Sequence, residues 1–265
     1  MAINLQLITK EELIEKFKEI EKMGWIENRR HGNDGGVGNT LEDLLGIPEN
    51  NLPIPNAAEW ELKARRANTS SLVTLCHQEP SPRAAKLVPE LLLPKYGWCH
   101  KQAGIKYPET EMSFRMTLNG VSFTDRGFKV SVNRREQKVE IVFDPDKADE
   151  RHADWLSDID KRVGLGPLPV TPYWGFNDLY TKIGTKLINC FFVQAEVKKV
   201  DGVEYFHYNS VAMCKTVNLD KFIEAIEKGL VYVDFDARTG HNHGTKFRIK
   251  DYDLPSLYST VIKVL

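Results

Sequence analysis

The sequence predicts an α+β fold, a mixed sheet flanked by helices and arranged as two lobes around a cleft. Two patterns predict it. Apolar residues recur at helical spacing near the start and in short strand-like runs through the middle, and helices and strands then alternate through the last third. A polar, Pro/Gly-rich connection from Asp144 to Pro172 precedes that last third. It sets an approximate division at 1–150 and 151–265, with interleaved lobes allowed. The chain carries no internal repeat.

Each element has its own signal. Thr9 caps the first helix, Glu12 completes a capping box, and Leu13, Ile14, Phe17, Ile20 and Met23 make one apolar stripe that Gly24 ends. After a glycine-rich stretch from Gly32 to Gly38, Thr40 is expected to cap a short helix, Leu41 to Leu45, closed by Gly46. Two prolines make Asn50 to Asn56 an extended loop leading into a strand around Glu61, with Leu72 to Leu75 as a strand beside it. Ser113 to Leu118 and Val121 to Thr124 flank Asn119-Gly120, the signature of a two-residue hairpin turn. Phe128 to Val132 and Val139 to Phe143 read as a second pair around a charged turn. Further on, a helix over Asn177 to Leu187 precedes a strand over Cys190 to Val197, and Asp201-Gly202 turns the chain into Tyr205 to Met213. Asn218 caps Leu219 to Lys228 before Gly229, and Val231 to Asp236 with Thr245 to Ile249 completes the sheet.

Composition narrows the function classes. With 265 residues, 42% of them hydrophobic and 28% charged, the chain can bury a full core. No stretch is apolar for the length a bilayer requires, and the N-terminus lacks a signal peptide's apolar run, so no membrane is expected and the expected compartment is the cytoplasm. Four widely spaced cysteines, none in a CxxC pair, read as reduced thiols. Cys76-His77 and Cys99-His100 suggest zinc at first sight, but adjacent residues on a strand point to opposite faces. Gly35 to Gly38 lacks the Gly-Lys-Ser/Thr ending of a nucleotide-binding loop. Net charge is −1, so any nucleic-acid footprint has to be local; Arg65-Arg66, Arg134-Arg135 and Lys246 to Lys250 are basic enough to supply one.

Glu61-Leu62-Lys63 carries the most chemistry. On a strand, Trp60 and Leu62 point into the core while Glu61 and Lys63 share the other face. A carboxylate there can hold Mg²⁺, and the ammonium can steady an attacking water or a phosphate charge. With an acidic residue a few positions upstream, such a pair is the metal-binding core of many endonucleases. Here the upstream position is Asn56, whose neutral carbonyl binds Mg²⁺ less tightly than a carboxylate. Glu59 shares the face of Glu61 and is a candidate replacement. The ordinary alternative is a surface ion pair of little value.

Several blocks occur together in order. They are Gly24-Trp25, Gly32-Asn33, Gly36-Val-Gly38-Asn-Thr40-Leu-Glu42-Asp-Leu-Leu45, Asn51-Leu52, Ile54-Pro55-Asn56 and Glu61-Leu-Lys63. Leu72-Val-Thr-Leu75, Tyr173-Trp174, Tyr208-Asn-Ser210, Val233-Asp234 and His243-Gly-Thr-Lys-Phe-Arg248-Ile249 follow. As an ordered set they resemble the MvaI/BcnI restriction endonucleases, relatives of the MutH mismatch-repair nicking enzyme. The resemblance implies a PD-(D/E)XK nuclease fold and a monomeric, Mg²⁺-dependent type II enzyme. Its substrate would be double-stranded DNA with a short site of the CC-x-GG kind, and a cognate DNA methyltransferase would belong to the same system. It assigns catalysis to Asn56, Glu61, Lys63 and the helix residue Glu42, and metal binding to Asn56, Glu61 and the Leu62 carbonyl. Residues 1–150 would then be mainly catalytic and 151–265 mainly recognition. Asn56 in the Asp position is expected to impair cleavage. Two rival readings stand beside this one: a MutH-like nicking repair enzyme, and a sequence-specific DNA-binding protein without chemistry.

Candidate DNA contacts complete the reading. His243 and Arg248 lie in a late strand segment, where His can donate to bases and Arg can grip guanine; a solvated turn is the plain alternative. Asp234, with Asp236 and Arg238 close behind, suits base readout, because an Asp at a duplex is repelled by phosphates unless it accepts from cytosine. His77 can reach the cleft from its strand, and Arg65 adds a cation beside the Glu-x-Lys motif. Ser70, within Thr69-Ser70-Ser71, offers a hydroxyl for phosphate positioning or is part of a polar turn. Glu42 also has a plain role, favouring its own helix dipole.

Overall fold

The computed structural model describes residues 8–30, 35–47, 59–67 and 72–265. In chain order these form α1 (Lys10–Lys22), β1 (Ile26–Glu27), α2 (Gly36–Leu45), β2 (Trp60–Arg66), β3 (Leu72–His77), α3 (Leu93–Tyr96), β4 (Trp98–Cys99), β5 (Met112–Leu118), β6 (Arg126–Asn133) and β7 (Lys138–Ala148). There follow α4 (Ala153–Val163), β8 (Tyr173–Gly175), α5 (Phe176–Lys186), β9 (Asn189–Val200), β10 (Val203–Val217), α6 (Leu219–Glu227), β11 (Val231–Arg238), β12 (His241–Asn242), β13 (Lys246–Lys250) and β14 (Tyr258–Lys263). Mixed sheets with flanking helices make this the expected α+β fold.

The chain folds as two units, each discontinuous in sequence. Unit 1 takes Met1–Ser71, Ile183–Asn218 and Asp251–Leu265; unit 2 takes Leu72–Lys182 and Leu219–Lys250. The chain crosses between the units four times.

Unit 1 is built on the sheet β1-β10-β9-β2, with β14 also on β10. Asp201 and Gly202, both at positive φ, make the β9–β10 turn the sequence predicts. β2 is the edge strand and runs parallel to β9, Glu61 lying opposite Cys190 and Lys63 opposite Phe192. The predicted α1 capping box is present. Leu13, Phe17 and Ile20 of α1 and Leu41 and Leu45 of α2 pack with Trp60, Leu62 and Phe191 in one buried cluster. At about 1.5–3 kcal/mol per buried large apolar side chain, that cluster pins β2 on its Trp60/Leu62 face. Met23, the last residue of the predicted stripe, is exposed because Gly24 ends the helix at positive φ.

Unit 2 holds the antiparallel sheet β3-β13-β11-β5-β4, with β12 on β11, and a second sheet β6-β7-β8. Phe114, Phe235 and Phe128 lie at its core, in edge-to-face contacts with ring centroids 5.4 and 5.7 Å apart.

Four expectations change. α2 begins at Gly36 rather than after Thr40, whose buried hydroxyl lies 3.5 Å from the Asn28 amide oxygen. Asn119-Gly120 does not close a hairpin: the Asn119 amide oxygen accepts from the Val121 and Ser122 N–H groups, and β5 pairs with β11 and β4. Gly120 serves a close approach instead, since a Cβ there would sit 2.2 Å from the Ile226 carbonyl. The Asp144–Pro172 connection contains the end of β7 and all of α4. β3 belongs to the unit 2 sheet, paired with β13, and not beside the Glu-x-Lys strand, which pairs with β9.

Candidate active site

Period-two alternation on β2 puts Trp60 and Leu62 in the core and turns Glu61 to the opposite face. That face is more enclosed than an open cleft: Glu61 is 1% exposed. Its Oε1 meets Lys63 Nζ at 2.6 Å, and Lys186 Nζ, at the end of α5, stands 3.8 Å from the same oxygen. The parallel β2–β9 pairing explains the second lysine. α5 delivers the chain to Asn189, which lies opposite Trp60, so the last turn of α5 ends beside Glu61. Oε2 of Glu61 is buried with no hydrogen-bond partner among the described residues.

A buried carboxylate oxygen left unpartnered costs roughly 1–3 kcal/mol or more, so it marks a place for a donor or a cation. The donor set fits Mg²⁺: a carboxylate oxygen and the neighbouring Leu62 carbonyl are hard oxygen ligands. Among the described residues no group of three His, Cys, Asp or Glu forms a metal cluster by itself. Asn56, the third expected ligand, lies outside the described residues, as does Ser70. Glu59 is exposed at the entry to β2. Glu42 is half-buried on α2, the helix whose Leu41 and Leu45 pack against Trp60 and Leu62.

Unit 2 gathers the other candidates on one sheet face. Val233, Phe235 and Ala237 of β11 are buried, so Asp234, Asp236 and Arg238 alternate to the opposite side. Asp234 accepts from Thr117 Oγ1 at 2.8 Å and from Arg248 Nη1 at 3.2 Å. Arg248 also donates to the Leu72 carbonyl at 2.8 Å, while its Nε is buried without a partner among the described residues. Asp236 takes Arg115 at 2.7 Å and Lys246 at 3.3 Å. Burial raises the Asp236 carboxyl, but the Lys246 hydrogen bond and the nearby Arg115 and His243 charges outweigh it and hold the group below its ordinary range. Arg238 pairs with Glu111 at 2.9 Å and lies over Tyr107. His243 is exposed and lines a cavity of about 240 Å³ with His100, Lys101, Arg115, Asp236 and Arg238. His77 is exposed at the end of β3, opposite Lys246.

Arg65, an expected DNA contact, is engaged within unit 1 in this structure. Its guanidinium is committed inside unit 1, 2.7 Å from Asp251, a carboxylate with no exposure, and it covers the Phe192 ring. Sequence reasoning missed Lys186, Arg115 and Glu111. A lysine in the last turn of a helix is the ordinary complement to the dipole, so Lys186 carries no signal until the crossover places it.

The candidate site is thus an enclosed acid–lysine pair on an edge strand of an α+β fold. The chain belongs to the MvaI/BcnI restriction endonuclease family, whose model matches residues 14–258. Two solved structures of MvaI share the fold. The complex of MvaI with its cognate DNA substrate aligns with a TM-score of 0.74 at 24% identity, covering 96% of this chain and 98% of that one. MvaI in the absence of DNA aligns at 0.57 and 22% identity, covering 100% and 99%. No curated protein matches the chain. No helix among the described residues is long and apolar enough to cross a membrane.

Proposed function

We propose that the chain is a Mg²⁺-dependent type II endonuclease of the PD-(D/E)XK kind. On this reading it hydrolyses phosphodiester bonds in double-stranded DNA at a short site of the CC-x-GG kind. It acts as a monomer in the cytoplasm beside a cognate methyltransferase. Unit 1 is the catalytic part and unit 2 the recognition part. The observation that carries the proposal is Glu61: a buried carboxylate with one oxygen on Lys63 and the other without a partner among the described residues.

Each residue then has a task. Glu61 Oε2, the Leu62 carbonyl and the side chain at 56 would hold the cation. When bound, Mg²⁺ lowers the pKa of water and offsets charge on the phosphate. Lys63, fixed by Glu61 at 2.6 Å, orients the attacking water or steadies the charge on the phosphate oxygens. Glu42 positions water from α2. His77, Asp234, Arg238, His243 and Arg248 read or position the duplex, Arg248 and Asp234 exchanging their mutual pair for contacts to a base pair.

Asn56 supplies a neutral oxygen where the family pattern has Asp. The chain as it stands therefore binds DNA and cleaves it poorly. That amide equally favours a second reading, a DNA-binding protein without chemistry. Plasmid cleavage in Mg²⁺ separates the two. Asn56→Asp should raise the rate by roughly 10²- to 10³-fold, the scale of one well-placed electrostatic group. If the Asp form binds DNA at one sequence and leaves every plasmid intact, the second reading stands.

A further inference from the structure

Unit 2 contains a second cationic site, away from the polar face of β11. A cavity of about 650 Å³ is lined by Trp98, Arg126, Trp155, Asp158, Lys161 and Arg162 among others. Arg126 is clamped between two indoles, its guanidinium carbon 4.2 Å from the Trp98 ring centre and 4.7 Å from that of Trp155. The faces of the guanidinium are satisfied; its edges are not. Nη1 is buried, and none of the guanidinium N–H groups bonds a described residue.

The neighbouring charges do not supply the missing acceptor. Asp125 directs its carboxylate to Arg151 at 2.7 Å and His152 at 2.9 Å. Arg162 spends its N–H groups on the carbonyls of Asp158, Pro94 and Gly97. Lys161, 3.5 Å from Asp158, is largely exposed at the rim. The lining thus holds three cations against one carboxylate. Burial lowers the pKa of Arg126, the sign of a charge short of compensation.

We propose that this Trp98–Arg126–Trp155 cavity is an anion site that receives a phosphate group, with Arg126 as the principal donor and Lys161 as the rim cation. The guanidinium offers its free edge to phosphate oxygens, and the indoles fix its plane and keep water from both faces. The phosphate belongs either to the backbone of a bound duplex or to a small free phosphate compound.

Tryptophan fluorescence of the full chain, titrated with inorganic phosphate against chloride at equal ionic strength, reads the site directly. A saturable change is expected, weakened about tenfold or more by Arg126→Leu, which removes the charge-assisted donors. Lys161→Ala, at an exposed position that leaves the fold intact, should weaken it about threefold, the smaller contribution of a solvated rim charge. The salt dependence of duplex binding distinguishes the sources. If Arg126→Leu lowers the slope of log affinity against log salt by about one, the occupant is a DNA backbone phosphate. If the slope holds while the phosphate response is lost, the occupant is a free phosphate compound. No saturable response in the parent chain, with the slope unchanged in the variant, overturns the proposal and leaves Arg126 as packing between indoles.

Discussion

In unit 1, Glu61 is 1% exposed and leaves Oε2 without a partner among the described residues, whereas in unit 2 Asp234 and Asp236 each hold two donors. The first arrangement is unfinished: a buried oxygen lacking a partner favours whatever arrives to complete it. The second is saturated but exchangeable. Its ion pairs are only partly exposed, yet each can trade one partner for a base edge or phosphate without stranding a charge. The proposed cation site and the proposed duplex face thus treat carboxylates in opposite ways.

Four changes would break or sharpen this contrast. The largest effect is expected from Arg65→Met, which leaves Asp251 buried without its cation at 2.7 Å. It should lower stability by about 3–5 kcal/mol, the cost of halving a buried pair, with the duplex affinity of the folded fraction unchanged. Chemical denaturation together with DNA titration checks both halves, and a stable protein with weakened DNA binding would make Arg65 a DNA contact. Next, Arg248→Met should cost about 1–3 kcal/mol of duplex affinity and relax discrimination at one base pair. Competition with single-base variants measures this; an equal loss on every sequence would make Arg248 a phosphate contact. In the Asn56→Asp background, Lys186→Met should slow cleavage roughly tenfold, equal to about 1.4 kcal/mol, while KM for DNA holds. Single-turnover rates test it, and an unchanged rate would reduce Lys186 to a helix-end cation.

The smallest effect concerns pH. The folded-state pKa of Asp236 is depressed by Lys246, Arg115 and His243 against the opposing effect of burial. Its contribution to stability is therefore complete above the unfolded value of about 3.9 and is lost as pH falls through the lower folded value. Asp236→Asn should remove that contribution near neutrality and flatten the curve below about pH 4, so that the two proteins converge in acid. Urea midpoints across that range decide it, and parallel curves for the two proteins would remove Asp236 from the account.

Local signals that agreed with tertiary packing were legible in the sequence. The capping box set the start of α1, Asp201-Gly202 set the β9–β10 turn, and alternation around Glu61 set the faces of β2. Signals with two physical uses misled. Asn-Gly is a turn pair because of torsion, but Gly120 is small for the sake of the Ile226 carbonyl, a contact 106 positions along the chain. α4 buries only Trp155 and Ile159, one i, i+4 pair, too thin a stripe to stand out among its charges. Likewise the Glu61–Lys63 pair could be read from spacing, while Lys186 and Arg115 reach their carboxylates only through strand register.

The division of the chain has a consequence for how the protein is made. The polypeptide passes between units at residues 71/72, 182/183, 218/219 and 250/251. All of unit 2 has been synthesised once Lys250 is out, but unit 1 still lacks β14, whose Tyr258 to Lys263 completes the sheet on β10. During synthesis the unit proposed for recognition can fold while the unit proposed for catalysis is still missing a strand. The same weave means that neither part can be lifted out as one continuous segment.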